Sequence, residues 1–86
     1  MFFKGAKKVV LPKDGGFTAA EFKDGSAVIH AVYNNDPSVT ARVRVRYQSG
    51  DIESVNIPAC EFHHALILEI LTEGTSMGPA GLLAYR

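Results

Sequence analysis

Arg42, Arg44 and Arg46 occupy alternate positions in the run Ala41-Arg42-Val43-Arg44-Val45-Arg46-Tyr47. On a strand, alternate side chains share a face and stand ~6.6–6.8 Å apart. That spacing roughly matches consecutive phosphates of a stretched single strand, and the guanidinium fork suits phosphate geometry. Tyr33 or Phe22 on a neighbouring strand would offer a ring for base stacking. The bland alternative is a solvated sheet face whose arginine stems cover apolar surface. Cys60, His63 and His64 form a second cluster. On a helix Cys60 and His64 would share a face, but a closed zinc site needs four ligands. Only His30 or a distant carboxylate would complete the set, so no metal site is assigned. A Cys60–His64 nucleophile pair would need an orienting Asn or Asp, and none is placed there. Gly74 to Gly81 is glycine-rich but lacks the Gly-Lys-Ser/Thr ending of a phosphate loop. No catalytic residue, cofactor or small-molecule substrate is therefore expected.

The elements that must carry these residues follow from patterning. Val43, Val45 and Tyr47 alternate with the arginines, which predicts a half-buried strand over Val39 to Tyr47. Ser49-Gly50-Asp51 turns the chain into a strand from Ile52 to Ile57. Burial favours an odd, three-residue loop, setting Val45 opposite Val55, Val43 opposite Ile57 and Arg44 opposite Asn56. Ala27 to Tyr33 is rich in β-branched and aromatic residues and predicts a strand. Lys23-Asp24-Gly25-Ser26 carries the Asp-Gly hairpin signal linking it to a short strand over Phe17 to Phe22. Pro58 suits a first helical position. From Ala59 to Thr72 the row Phe62, Leu66, Ile70, flanked by Ile67 and Leu71, has helical spacing, and Gly74 would end the helix. The expected fold is thus α+β: an antiparallel sheet of four or five strands, then one amphipathic helix over 59–72 packed on one face. Phe62, Leu66 and Ile70 would cover Val43, Val45, Val55 and Ile57.

Composition sets outer limits. The chain has 86 residues, 47% of them hydrophobic and 21% charged, which describes one small globular domain. At that size the folded surface should be ~5,000 Å². Cys60 is the single cysteine, so a disulfide scaffold is excluded. No apolar run approaches the ~18 residues of a membrane helix. Met1-Phe2-Phe3-Lys4 has no signal-peptide pattern after it, so a cytoplasmic location is expected. Nine basic residues balance nine acidic ones, so no strong pull on nucleic acid or membrane arises from the whole chain. Residues 51–86 nevertheless hold five acids against Arg86, while residues 1–50 carry the excess of cations. A basic half of one copy could meet the acidic half of another.

Ser26, Ile29, Tyr33-Asn34, Val43, Val45, Tyr47 and Gly50, followed by Glu53, Val55, Ile57-Pro58, Leu66 and Gly74, resemble the pattern of the KTSC domain. That small domain occurs at the C-terminus of some lysyl-tRNA synthetases and as stand-alone bacterial and phage proteins. The resemblance covers about residues 26–74 and implies three strands and a helix. It also implies an accessory binding module with possible RNA contact. Residues 1–25 are then an N-terminal arm with a first short strand, and 75–86 a docking tail.

The expected function is a non-catalytic interaction or assembly module, bacterial or phage-encoded. Its partner would be a larger protein or further copies of the chain. The apolar ends, Phe2, Phe3, Leu82, Leu83 and Tyr85, are the candidate surface, because they exceed what one sheet and one helix can hide. The alternative is a single-stranded RNA or DNA binder using Arg42, Arg44 and Arg46. A phage inhibitor of a host enzyme is a third reading.

Overall fold

A computed structural model describes residues 3–86. The architecture is one antiparallel sheet built from β1 (Ala6–Lys8), β2 (Gly16–Thr18), β3 (Ile29–Asn34), β4 (Ala41–Tyr47), β5 (Ile52–Ile57), β6 (Phe62–Ser76) and β7 (Leu82–Tyr85). Its order is β1-β7-β3-β6-β4-β5, with β2 also paired to β6. The α+β expectation is overturned: the only helical element among the described residues is a short 3-10 turn, Ala19–Phe22. In place of the helix over 59–72 stands β6, the longest strand, 15 residues.

The reason lies in how β6 is paired. β4 runs along one side of it, while β3 and then β2 share the other. Both rows of its peptide groups are thus used by neighbours, and tertiary pairing outweighs the helix preference of its Leu and Glu residues. The helical spacing was produced by a bulge. His63, Ala65 and Ile67 alternate inward, and the register then slips by one residue, since Tyr47 faces Ile67 while Arg46 faces Glu69. The extra residue, Leu68, puts the next buried side chain at Ile70. β6 also shifts register opposite Ile29–Ala31 and opposite Arg42–Arg44, but it is the bulge at Leu68 that gives a step of three, the step that reads as a helix. The row Phe62, Leu66, Ile70 is not a face at all. Phe62 and Leu66 are 42% and 47% exposed, and only Ile70 is buried, opposite Val45.

The core fills one face of the sheet. Ile29, Val32, Val43, Val45, Ile57, Ile67, Ile70, Leu82 and Ala84 come from five strands into one cluster. Phe17 and Phe22 close it edge to face at 6.2 Å. One continuous cluster from a single sheet requires that the sheet curl around it. Phe22 thus lies in the 3-10 turn at the core margin and not on a strand beside the arginines, where it was expected to offer a ring for base stacking.

The hairpin β4–β5 keeps the expected parity and loop length but not the expected register. The loop is Gln48-Ser49-Gly50, with Gly50 at φ +99°, the left-handed position of a three-residue hairpin. Val43 faces Val55, Val45 faces Glu53, and Arg44 faces Ser54. The register is two residues away from that expected, so every side chain keeps its face. The Asp24-Gly25 hairpin does not form, because β2 pairs with β6. The Asp24 carboxylate instead accepts the Ser26 N–H at 2.9 Å and pairs with Arg86.

The chain ends are tied to each other. Lys4 N–H donates to Arg86 O at 2.9 Å, Arg86 N–H to Gly5 O at 3.1 Å, and Val9 N–H to Leu82 O at 2.9 Å. Val9 and Leu82 enter the core. The accessible surface, 5010 Å², matches the ~5,000 Å² expected for a monomer of this mass. Of the apolar ends, Val9, Leu82 and Ala84 are buried against one another, whereas Val10 is 71% exposed and Phe3, Leu83 and Tyr85 are half-buried. No helix among the described residues is long and apolar enough to cross a membrane.

Candidate interaction surface on the outer sheet face

The face opposite the core carries an aromatic cluster. Strand register puts Leu83, Tyr33 and Phe62 in one row across β7, β3 and β6. Ala6, Tyr85, Ala31 and His64 make the next row, across β1, β7, β3 and β6. Ala31 is the reason the rings can meet: it is small, fully buried, and lies between His64 and Tyr85 in its row. Tyr33 and Phe62 have ring centroids 4.6 Å apart, and Phe62 and Tyr85 5.2 Å apart. Phe3 joins from the segment before β1, 4.7 Å from Tyr85 and 5.9 Å from Phe62. The rings of Phe3, Phe62 and His64 lie within 21° of parallel, so they form a nearly flat platform.

Basic side chains border this platform. Phe3 shares a groove of about 470 Å³ with Lys4, His30, Val28 and Arg86, and Lys8 stands opposite Leu83. Of the expected surface residues, Phe3, Leu83 and Tyr85 are on this face. Leu82 is not, because strand alternation turns it into the core at 0% exposure. Phe2 lies outside the described residues. Phe62 and His64 belong to the surface but were assigned by sequence to a helix, and only the period-two alternation of residues 62–67 marked them.

Arg42, Arg44 and Arg46 also lie on the outer face, opposite Asn56, Ser54 and Ile52 of β5. They are not equivalent. Arg46 is paired with Glu69 at 3.0 Å. Arg44 lies against Gly74, where an added Cβ would meet its Cδ at 2.9 Å, and lines a cleft with Lys13, Asp14 and Glu73. Of the three, Arg42 alone is exposed, and Arg44 and Arg46 are half-buried. Arg46 faces Glu69, five residues along β6 from His64, or ~16 Å at the strand rise.

Cys60, His63 and His64 are dispersed by the strand. His63 points inward, beside Val32, and its Nε2 lies 3.0 Å from the Tyr47 hydroxyl. His64 points outward into the aromatic platform. Cys60 sits in the turn before β6 at φ +56°, exposed. Its thiol donates to Asp36 O at 4.0 Å, and the nearby thiol, then burial, hold the Tyr33 phenol above its usual value.

Burial, and then the charge of His64, hold His63 below the usual 6.5. The folded protein therefore binds fewer protons at this site than the unfolded chain does. Its contribution is complete above pH 6.5 and is lost as the pH falls from there towards the depressed value. Chemical denaturation midpoints should accordingly drop across that interval in the native protein. In His63→Gln, which keeps a polar partner for Tyr47 without a charge, this component of the drop should vanish. An unaltered pH profile in the variant would mean that His63 titrates freely.

No family model matches the chain, and no curated protein or solved structure shows significant similarity to it.

Proposed function

We propose that the protein is a non-catalytic, cytoplasmic interaction module that docks a larger protein through the outer face of β3, β6 and β7. The observation that carries this reading is the aromatic platform of Phe3, Tyr33, Phe62, His64 and Tyr85, in which Phe62 keeps 42% of its surface in water. Aromatic rings held flat by a rigid sheet are the side chains that dominate protein interfaces. The bordering cations Lys4 and Lys8, which have no acidic partner among the described ion pairs, favour a partner segment with apolar side chains beside Asp or Glu. The resemblance to the KTSC domain points in the same direction, towards an accessory binding module. A nucleic-acid role for the arginine face is less well supported, because Glu69 already neutralises Arg46.

Peptide display on the native chain should enrich segments combining aromatic or leucine side chains with acidic neighbours. Phe62→Ser should weaken their binding by about tenfold to thirtyfold while leaving the fold intact. Selected peptides that bind Phe62→Ser as well as the native chain would refute the assignment. So would tighter binding of an oligo-dT strand that weakens steeply with salt and depends on Arg42.

A further inference from the structure

β5 is the last strand of the sheet, and its outer edge faces no other strand among the described residues. The hairpin geometry fixes which of its peptide groups are free. Tyr47 N–H donates to Asp51 O at 2.8 Å, and Gly50 N–H to Tyr47 O at 2.9 Å. Tyr47 and Asp51 are thus a hydrogen-bonded pair, and the pattern repeats at every second residue. Glu53, Val55 and Ile57 bond to Val45, Val43 and Ala41. The N–H and C=O groups of Ile52, Ser54 and Asn56 therefore point away from β4 into open space.

The two edges of the sheet are defended differently. β1 is three residues long and carries Lys7 and Lys8, the usual protection of an exposed edge. β5 is six residues long and holds no proline, no lysine and no bulge against β4. Its single charge is Glu53, and Ile52 is 49% exposed.

We infer that β5 pairs antiparallel with β5 of a second copy, about a two-fold axis through Ser54. The free peptide groups at 52, 54 and 56 are symmetric about that residue. Ser54 then meets the partner's Ser54, and Ile52 meets the partner's Asn56, so all three free positions on each strand are satisfied at once. Glu53 falls opposite the partner's Val55, so like charges never stand directly opposite, which would oppose pairing. The pairing uses β5 in both copies and leaves outside only the three-residue strands β1, with its lysines, and β2 among the described edges. It closes as a dimer and does not propagate. Each dimer would present two aromatic platforms on one continuous sheet, but the pairing stands whether or not those platforms bind a protein.

Sedimentation equilibrium of the full chain should show a monomer–dimer equilibrium. Ser54→Pro removes only an N–H that β4 does not use, a substitution that edge strands tolerate. It should raise the dimer Kd by about tenfold or more. Register is tested separately in a Cys60→Ser background. Ser54→Cys should oxidise to a symmetric disulfide, because facing Cα atoms in such a pair lie ~5.5 Å apart. Glu53→Cys should not, since its own counterpart is two residues out of step. A monomer at about 1 mM would overturn the inference. So would an unchanged Kd in Ser54→Pro, or faster cross-linking at 53 than at 54. The cross-linking result decides the matter even if the proline variant does not fold.

Discussion

Asn34→Leu is expected to cost about 3–5 kcal/mol of stability, a large share of the ~5–15 kcal/mol of a small domain. Asn34 is fully buried at the end of β3. Its side-chain amide donates to Val39 O at 2.7 Å and Ile57 O at 2.9 Å, and its Oδ1 accepts the Asp36 N–H at 3.1 Å. Leucine has similar volume but strands these three backbone groups, and each buried unpaired group costs ~1–3 kcal/mol. The damage would spread, because the Asn34 peptide group itself bonds to Glu61 O and Cys60 N. One residue thus joins the loop after β3 to the turn between β5 and β6.

Asp36 extends the knot. Its carboxylate accepts the Ser38 and Val39 N–H groups at 2.8 and 3.0 Å, and that of Ala80 at 3.3 Å. The Ser38 bond leads in holding this carboxyl below the usual 3.8; burial opposes, and the Ala80 and Val39 bonds assist. Urea denaturation of Asn34→Leu is the direct measurement. A midpoint within error of the native protein's would show that volume, and not hydrogen bonding, sets the stability here. Asn34→Asp is a sharper control. It keeps the acceptor for Asp36 N–H but turns a carboxylate towards two carbonyl oxygens, and it should be at least as damaging.

The second large effect distinguishes strand from helix. Ile67→Asp is expected to unfold the chain, since Ile67 is fully buried and faces both Ile29 and Tyr47. A carboxylate there would have no partner among Ile29, Val32 and Ile70, and burying it unpaired costs more than the domain's margin. Leu66→Asp, one residue away, should shift stability by only about 1 kcal/mol or less, because Leu66 is 47% exposed on the outer face. Circular dichroism and amide NMR of the two variants would separate them. Tolerance of aspartate at 67 with collapse at 66 would restore a helix whose buried row is Phe62, Leu66, Ile70.

Strand β4 was legible from sequence because its alternation is local and unbroken. Val43 and Val45 go inward and the arginines outward under any register that keeps parity. The turn at Gly50 was legible for the same reason, although the register itself was set two residues away, by contacts that a hairpin sequence does not encode. The aromatic platform was only partly legible. Phe3, Leu83 and Tyr85 stood out as unplaced apolar residues. Tyr33 and Phe62 become neighbours only once β3 and β6, remote in the chain, are paired.

What the sequence determined alone is the size of the domain, its single cysteine, its charge balance and the faces of β4. These depend on composition or on neighbours one or two residues apart. The tertiary structure decided that residues 62–76 extend and do not coil. That segment holds helix-favouring leucines and a bulge that copies helical spacing. Its state was fixed by peptide groups on β2, β3 and β4, which lie on both sides of it and arrive from elsewhere in the chain.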